Sequence, residues 1–135
     1  LTTCLTIGTF DLFHRGHARL LARCAELGEL HVGVNSDRFV TAYKNVKCVQ
    51  SFDDRCAFLR ELPFVEHVWV NDDPGRTLIE MVKPDLLVVG SDWHEHGYLD
   101  QIGCSQALLD GWGVGVVYLP RTPDVSSTEM RKIVQ

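Results

Sequence analysis

Short apolar runs alternate with longer amphipathic stretches along the whole chain. The runs Thr3–Ile7, Leu30–Val34, His67–Val70, Leu86–Val89 and Val114–Leu119 are rich in valine, leucine and isoleucine and predict strands. Segments at 16–27, 52–61, 76–82 and 98–110 predict helices, and a last helix is predicted at 127–134. Leu20, Leu21, Cys24 and Leu27 make an apolar stripe at helical spacing, with Gly28 as its C-cap. Ser51 followed by Asp54 resembles a capping box, and Leu62-Pro63 ends that helix because proline disfavours helical geometry in the residue before it. Residues 40–50 have weak periodicity and carry Lys44 and Lys47, which predicts a loop over the sheet's carboxyl edge, a place for a lid. Strands separated by helices imply right-handed crossovers and a mostly parallel sheet. The expected fold is a single doubly wound α/β domain over residues 1–135, without repeats or linkers.

Composition narrows what such a domain binds. The 135 residues are 45% apolar and 23% charged, and their formal net charge of −5 argues against non-specific binding to nucleic acid or a membrane surface. An anionic ligand must then be held by a local basic cluster. The cysteines Cys4, Cys24, Cys48, Cys56 and Cys104 are scattered and odd in number, reading as small apolar residues of a reducing compartment. Neither a signal-peptide pattern nor an apolar stretch of spanning length is present, which predicts a cytoplasmic protein.

The first strand runs into Gly8-Thr9-Phe10-Asp11-Leu12-Phe13-His14-Arg15-Gly16-His17. His14 and His17 share one face of the first helical turn, Gly16 removes a side chain between them, and an anion could reach the backbone N–H groups of the helix start. Zinc-binding pairs on a helix are spaced one residue wider, so the spacing favours phosphate over metal. Gly8 permits a sharp turn or close ligand approach, while Asp11 either caps the first helix, the better reading on spacing, or orients a histidine or hydrated metal ion. A second block follows the last strand: Arg121, Thr122, then Ser126, Ser127 and Thr128 opening a helix. One serine suffices as a cap, whereas three hydroxyls plus an arginine suit a polyphosphate. A third block, Gly90-Ser91-Asp92-Trp93-His94-Glu95-His96, offers Asp92 to a ribose and Trp93 to a base. Its alternating histidines read as surface chemistry, and His31 and His67, in strand-like runs, read as structural.

In this order the blocks resemble the cytidylyltransferase branch of the H-x-G-H nucleotidyltransferase superfamily, with the strongest likeness to the bacterial glycerol-3-phosphate cytidylyltransferases. The likeness rests on residues 8–17, on Gly90–Trp93 and on Arg121–Thr128 after Tyr118-Leu119-Pro120, and it covers essentially the whole chain. It implies a small Rossmann-like domain, a five-stranded parallel sheet in the order 3-2-1-4-5 with helices on both faces, and a homodimer. The implied reaction joins CTP to a small polyol phosphate, with glycerol 3-phosphate first, giving a CDP-alcohol and pyrophosphate with Mg²⁺. His14 and His17 would stabilise the transition state, Lys44 would reach the triphosphate, and Arg121, Thr122 and Ser126 would hold its phosphates. Gly8, Thr9, Phe10, Asp11, Gly16, Asp92, Ser127 and Thr128 complete the nucleotide-binding set, Asp11 also being a possible magnesium ligand, and Arg55 would meet the acceptor's phosphate. The chain departs from the family at Pro63, where an arginine is usual, at Ser91 and at Asp124. The alternatives are an adenylyltransferase using ATP on a sugar or cofactor phosphate, and a nucleotide-binding module without catalysis. A class I aminoacyl-tRNA synthetase is set aside for want of a tRNA-binding domain and of basic charge.

Overall fold

Five strands, β1 (Thr3–Gly8), β2 (Glu29–Asn35), β3 (Val65–Asn71), β4 (Leu86–Gly90) and β5 (Gly115–Leu119), pair in parallel in the order β3-β2-β1-β4-β5. The structure is a computed structural model that describes residues 1–90 and 97–120. The sheet order is the one the family resemblance implied. Six helices connect the strands among the described residues: α1 (Arg15–Leu27), α2 (Asp37–Lys44), α3 (Phe52–Arg60), α4 (Arg76–Val82), α5 (Tyr98–Ile102) and α6 (Gln106–Trp112). The helix predicted at 127–134 lies outside the described residues.

Alternation along the strands divides the core in two. Cys4, Leu30, Val32, Val34 and Val88 pack against Leu21 and Cys24 of α1 and Cys56 and Leu59 of α3. Their strand neighbours Leu5, Leu87 and Val89 point the other way, against Leu78 and Ile79 of α4, Tyr98 and Ile102 of α5 and Leu109 of α6. Helices therefore cover both faces, as central parallel strands require. All five cysteines are free thiols, and only Cys48 is not buried.

Three expectations change. The segment predicted as a loop over 40–50 begins inside α2, which Ser36 caps by accepting from the Phe39 N–H at 3.1 Å; only residues 45–50 follow as a loop. The helix predicted over 98–110 is two helices, interrupted at Gly103, whose φ of 72° is left-handed, and restarted by Ser105 as N-cap. Gly28 does end α1, but with extended φ; what demands glycine there is close approach, since a Cβ would lie 2.4 Å from the Thr2 carbonyl oxygen.

With β1 between β2 and β4, the chain leaves β1 through α1 on one face and reaches β4 through α4 on the other. The crevice where such sheets take ligands opens at the carboxyl ends of these two strands. Residues 9–14 leave β1 at that crevice.

Candidate active site

The loop from β1 to α1 is bent in a way that its residues resist. Phe10 and Leu12 have φ of 55° and 51°, left-handed values that cost a non-glycine residue about 1 kcal/mol or more each. Between them Asp11 is fully buried, and Phe10 folds into the core, 5% exposed. Its ring crowds Gly8, where a Cβ would lie 3.0 Å from the Phe10 ring. Such strain persists where surrounding contacts over-determine the backbone, and here it sets the start of α1.

His14 is the N-cap of α1 and His17 its third residue, and the two cap the helix reciprocally. The Gly16 N–H donates to His14 Nδ1 at 3.1 Å, and the His14 N–H donates to His17 Nδ1 at 3.2 Å. Because each Nδ1 accepts, each neutral imidazole carries its proton on Nε2. The rings stack with centroids 3.8 Å apart and planes 20° apart. Phe10 and Phe13 flank His17 at centroid distances of 5.4 and 5.2 Å. Burial first and the neighbouring His14 second push the His17 pKa down to about 3, against the opposing pull of Asp11. His17 is therefore neutral at physiological pH. The backbone N–H groups of His14 and Gly16, expected to meet an anion, are occupied by the rings, each of which keeps its proton on Nε2.

Asp11 does not cap the helix. Its carboxylate accepts from the Val49 and Gln50 N–H groups at 2.8 and 2.9 Å, while Gln50 Oε1 accepts from the Leu12 N–H at 2.8 Å. The two loops are thereby stitched together. Arg55, expected to meet the acceptor's phosphate, is turned inward instead, its side chain 0% exposed. Nε donates to the Gln50 carbonyl at 3.2 Å, Nη1 to the Thr9 and Asn35 carbonyls at 2.7 and 2.8 Å, and Nη2 to Asp37 at 2.6 Å. A guanidinium so engaged clamps the carboxyl ends of β1 and β2 to α2 and α3. Desolvation raises the Asp37 pKa, but the bond and charge of Arg55, the Phe52 N–H and Cys48 together outweigh it and leave the pKa lowered.

Lys44 stands in the last turn of α2, not in a loop. Gly16 stands between the histidines in the first turn of α1, and Thr9 directly follows β1, its hydroxyl accepting from Asn35 Nδ2 at 3.1 Å. Asp92, Arg121, Thr122, Ser126, Ser127 and Thr128 lie outside the described residues. Pro63 occupies the turn from α3 into β3 and so sits at the amino edge of the sheet, across from the histidines. A groove of about 660 Å³ runs beside α2, lined among others by Arg38, Thr41, Lys47 and Cys48, and among the described residues none of the predicted site residues lines it.

Sequence reasoning missed Asn35 and Asn71, polar residues ending apolar strands at the carboxyl edge; that position was the available signal. Glu29, His31 and His67 bring ligand-type atoms within 4.8 Å of one another. Yet Trp69 Nε1 donates to His31 Nδ1 at 3.0 Å, which puts the His31 proton on Nε2, facing Glu29 Oε1 at 3.0 Å. Metal-binding histidines donate through their second nitrogen. Here it accepts; Glu29 bonds His31, and the exposed His67 ring packs beside His31 with centroids 4.6 Å apart.

A family model described as cytidylyltransferase-like matches residues 5–133. Glycerol-3-phosphate cytidylyltransferase of Bacillus spizizenii is 33% identical over 132 residues, covering 95% of this chain and 93% of that protein. The bifunctional protein HldE of Campylobacter concisus is 45% identical over 91 residues, 65% of this chain but only 19% of HldE. Among solved structures, a lipopolysaccharide core biosynthesis protein from Thermoplasma volcanium superposes with a TM-score of 0.68 at 25% identity, covering 90% of this chain and 96% of that one. No helix among the described residues is long and apolar enough to cross a membrane.

Proposed function

Because the chain belongs to the cytidylyltransferase-like family, we propose that it transfers a cytidylyl group from CTP to a small polyol phosphate, glycerol 3-phosphate first, releasing pyrophosphate. The observation that carries this reading is the reciprocally capped His14–His17 pair, with both Nε2 atoms protonated at the sheet's crevice. The acceptor's phosphate is already a nucleophile at neutral pH, so no covalent enzyme intermediate is required. Positioning and stabilisation of charge on the α-phosphoryl oxygens supply the acceleration. Neutral imidazoles suit this role, since they donate hydrogen bonds to the developing charge and, in the Nε2–H tautomer, leave Nδ1 occupied by backbone. Lys44, Arg121 and the hydroxyls of Ser126–Thr128 complete the proposed triphosphate site.

Asp11 does not fit as a magnesium ligand, because it is buried and its two oxygens accept backbone N–H groups. Mg²⁺ belongs to the proposal as an ion carried by the nucleotide's own phosphates. A homodimer, expected of the family, is also part of it and is checked by sedimentation.

A second reading, ATP with a sugar phosphate, draws support from the likeness to HldE over 91 residues and to a protein named for lipopolysaccharide core biosynthesis. Pyrophosphate release with CTP and with ATP, each against glycerol 3-phosphate, other polyol phosphates and sugar phosphates, separates the two, with product masses identifying the acceptor. Turnover with CTP and glycerol 3-phosphate is expected; a strong ATP preference replaces the first reading with the second.

A further inference from the structure

Three side chains at the carboxyl ends of β1, β2 and β3 form a hydrogen-bond chain with one direction. Asn71 Nδ2 donates to the Asp73 carbonyl at 2.7 Å and to Asn35 Oδ1 at 2.8 Å. Asn35 Nδ2 donates in turn to Thr9 Oγ1 at 3.1 Å. The Asp73 carbonyl can only accept, so the orientation of the Asn71 amide is fixed; that fixes Asn35, and Asn35 fixes the hydroxyl. A flipped Asn71 would set acceptor against acceptor, and a flipped Asn35 would set its amide nitrogen against that of Asn71, donor against donor. Having accepted from Asn35, the Thr9 hydroxyl directs its own hydrogen elsewhere. The Thr9 carbonyl is held at the same time by Arg55 Nη1 at 2.7 Å, so the residue is pinned through both backbone and side chain.

The chain of amides is an expensive way to fill space. Asn71 is 2% exposed, and its Oδ1 has no hydrogen-bond partner among the described residues. A buried, half-satisfied amide is worse for stability than an apolar residue of similar size. Stability alone does not account for an asparagine there, whereas control of the next group along the chain does.

We propose that Asn35 and Asn71 are positioning residues that orient the Thr9 hydroxyl as a hydrogen-bond donor to a phosphate oxygen of the bound substrate. The inference rests on reading the His14–His17 crevice as a phosphate site. It predicts coupling: Asn71 matters only through Thr9.

The test is a double-mutant cycle of Thr9→Val and Asn71→Leu, read as Kd for CTP and for inorganic pyrophosphate, as kcat and KM where turnover is found, and as thermal midpoint. Thr9→Val is expected to weaken phosphate binding or kcat/KM about tenfold, the scale of one hydrogen bond to a charged group, and Thr9→Ser to restore it. Asn71→Leu should lose a similar factor in the wild-type background and nothing further beside Thr9→Val. Asn71→Asp, nearly isosteric, is made in parallel in case the leucine variant does not fold. Its carboxylate turns the Asn35 amide round and should produce the same coupled loss. Equal losses in both backgrounds, or a change in thermal midpoint with Kd and kcat/KM unchanged, overturn the relay while leaving the phosphate site intact. Failure of the wild-type protein to bind either probe overturns both.

Discussion

His14 serves two ends with one ring: Nδ1 closes the first turn of α1, and the proton is thereby left on Nε2. Removing the ring should be felt in both. His14→Ala is expected to lower product formation by about 100-fold or more, measured as pyrophosphate release. Loss of the cap should cost about 1 kcal/mol of stability in urea unfolding. His17 ties stability to pH. Its folded pKa, about 3, lies below the ordinary 6.5, so the unfolded chain binds a proton that the folded one refuses. Stability from this group is complete above about 6.5 and is lost progressively as pH falls toward about 3. Urea unfolding across that range should show the wild type losing stability relative to His17→Asn as the solution is acidified; parallel curves would refute the assignment. At this scale the sequence disclosed the histidines by type and spacing. It did not disclose that Asp11 holds a second loop, because that depends on left-handed φ at Phe10 and Leu12, which nothing in those side chains announces.

Between elements, the strands were legible because their apolar runs are short and bounded, while two helices were not. In α2 only Val40 is buried, so the helix has almost no apolar stripe to read; Ser36 and Asn45 define it from its ends. The predicted helix at 98–110 splits because Gly103 turns left-handed, allowing Cys104 to be buried and Ser105 to begin a new helix. Arg55 shows how charge can mislead: in the sequence it invites a phosphate-binding role, yet it bonds three backbone carbonyls and Asp37. Arg55→Met should therefore destabilise the fold by on the order of 3 kcal/mol through buried carbonyls left without donors, measured by denaturant unfolding. A pure substrate role would instead raise KM and leave stability alone. Gly28→Ala should also destabilise, because its Cβ would press on the Thr2 carbonyl at 2.4 Å, where the Glu29 N–H bonds that same oxygen at 2.8 Å.

For the molecule as a whole, alternation of strand and helix sufficed for the architecture, and the ten-residue block at 8–17 carries the histidine pair of the proposed site. The family resemblance supplied the strand order, and the sheet agrees with it. Burial raises the thiol pKa values of Cys4, Cys24, Cys56 and Cys104. A thiol reagent should thus label Cys48 quickly in the native protein and the other four cysteines only on unfolding, a count readable by mass spectrometry. The bonds between the β1–α1 loop and residues 45–50 reach further than geometry. Asp11, Gln50 and Arg55 hold that segment in one arrangement as part of the fold. Ordering a loop removes about 1–2 kcal/mol of conformational entropy per residue. Here that loss is incurred when the chain folds, so a ligand meeting this edge encounters a surface whose disorder has already been spent.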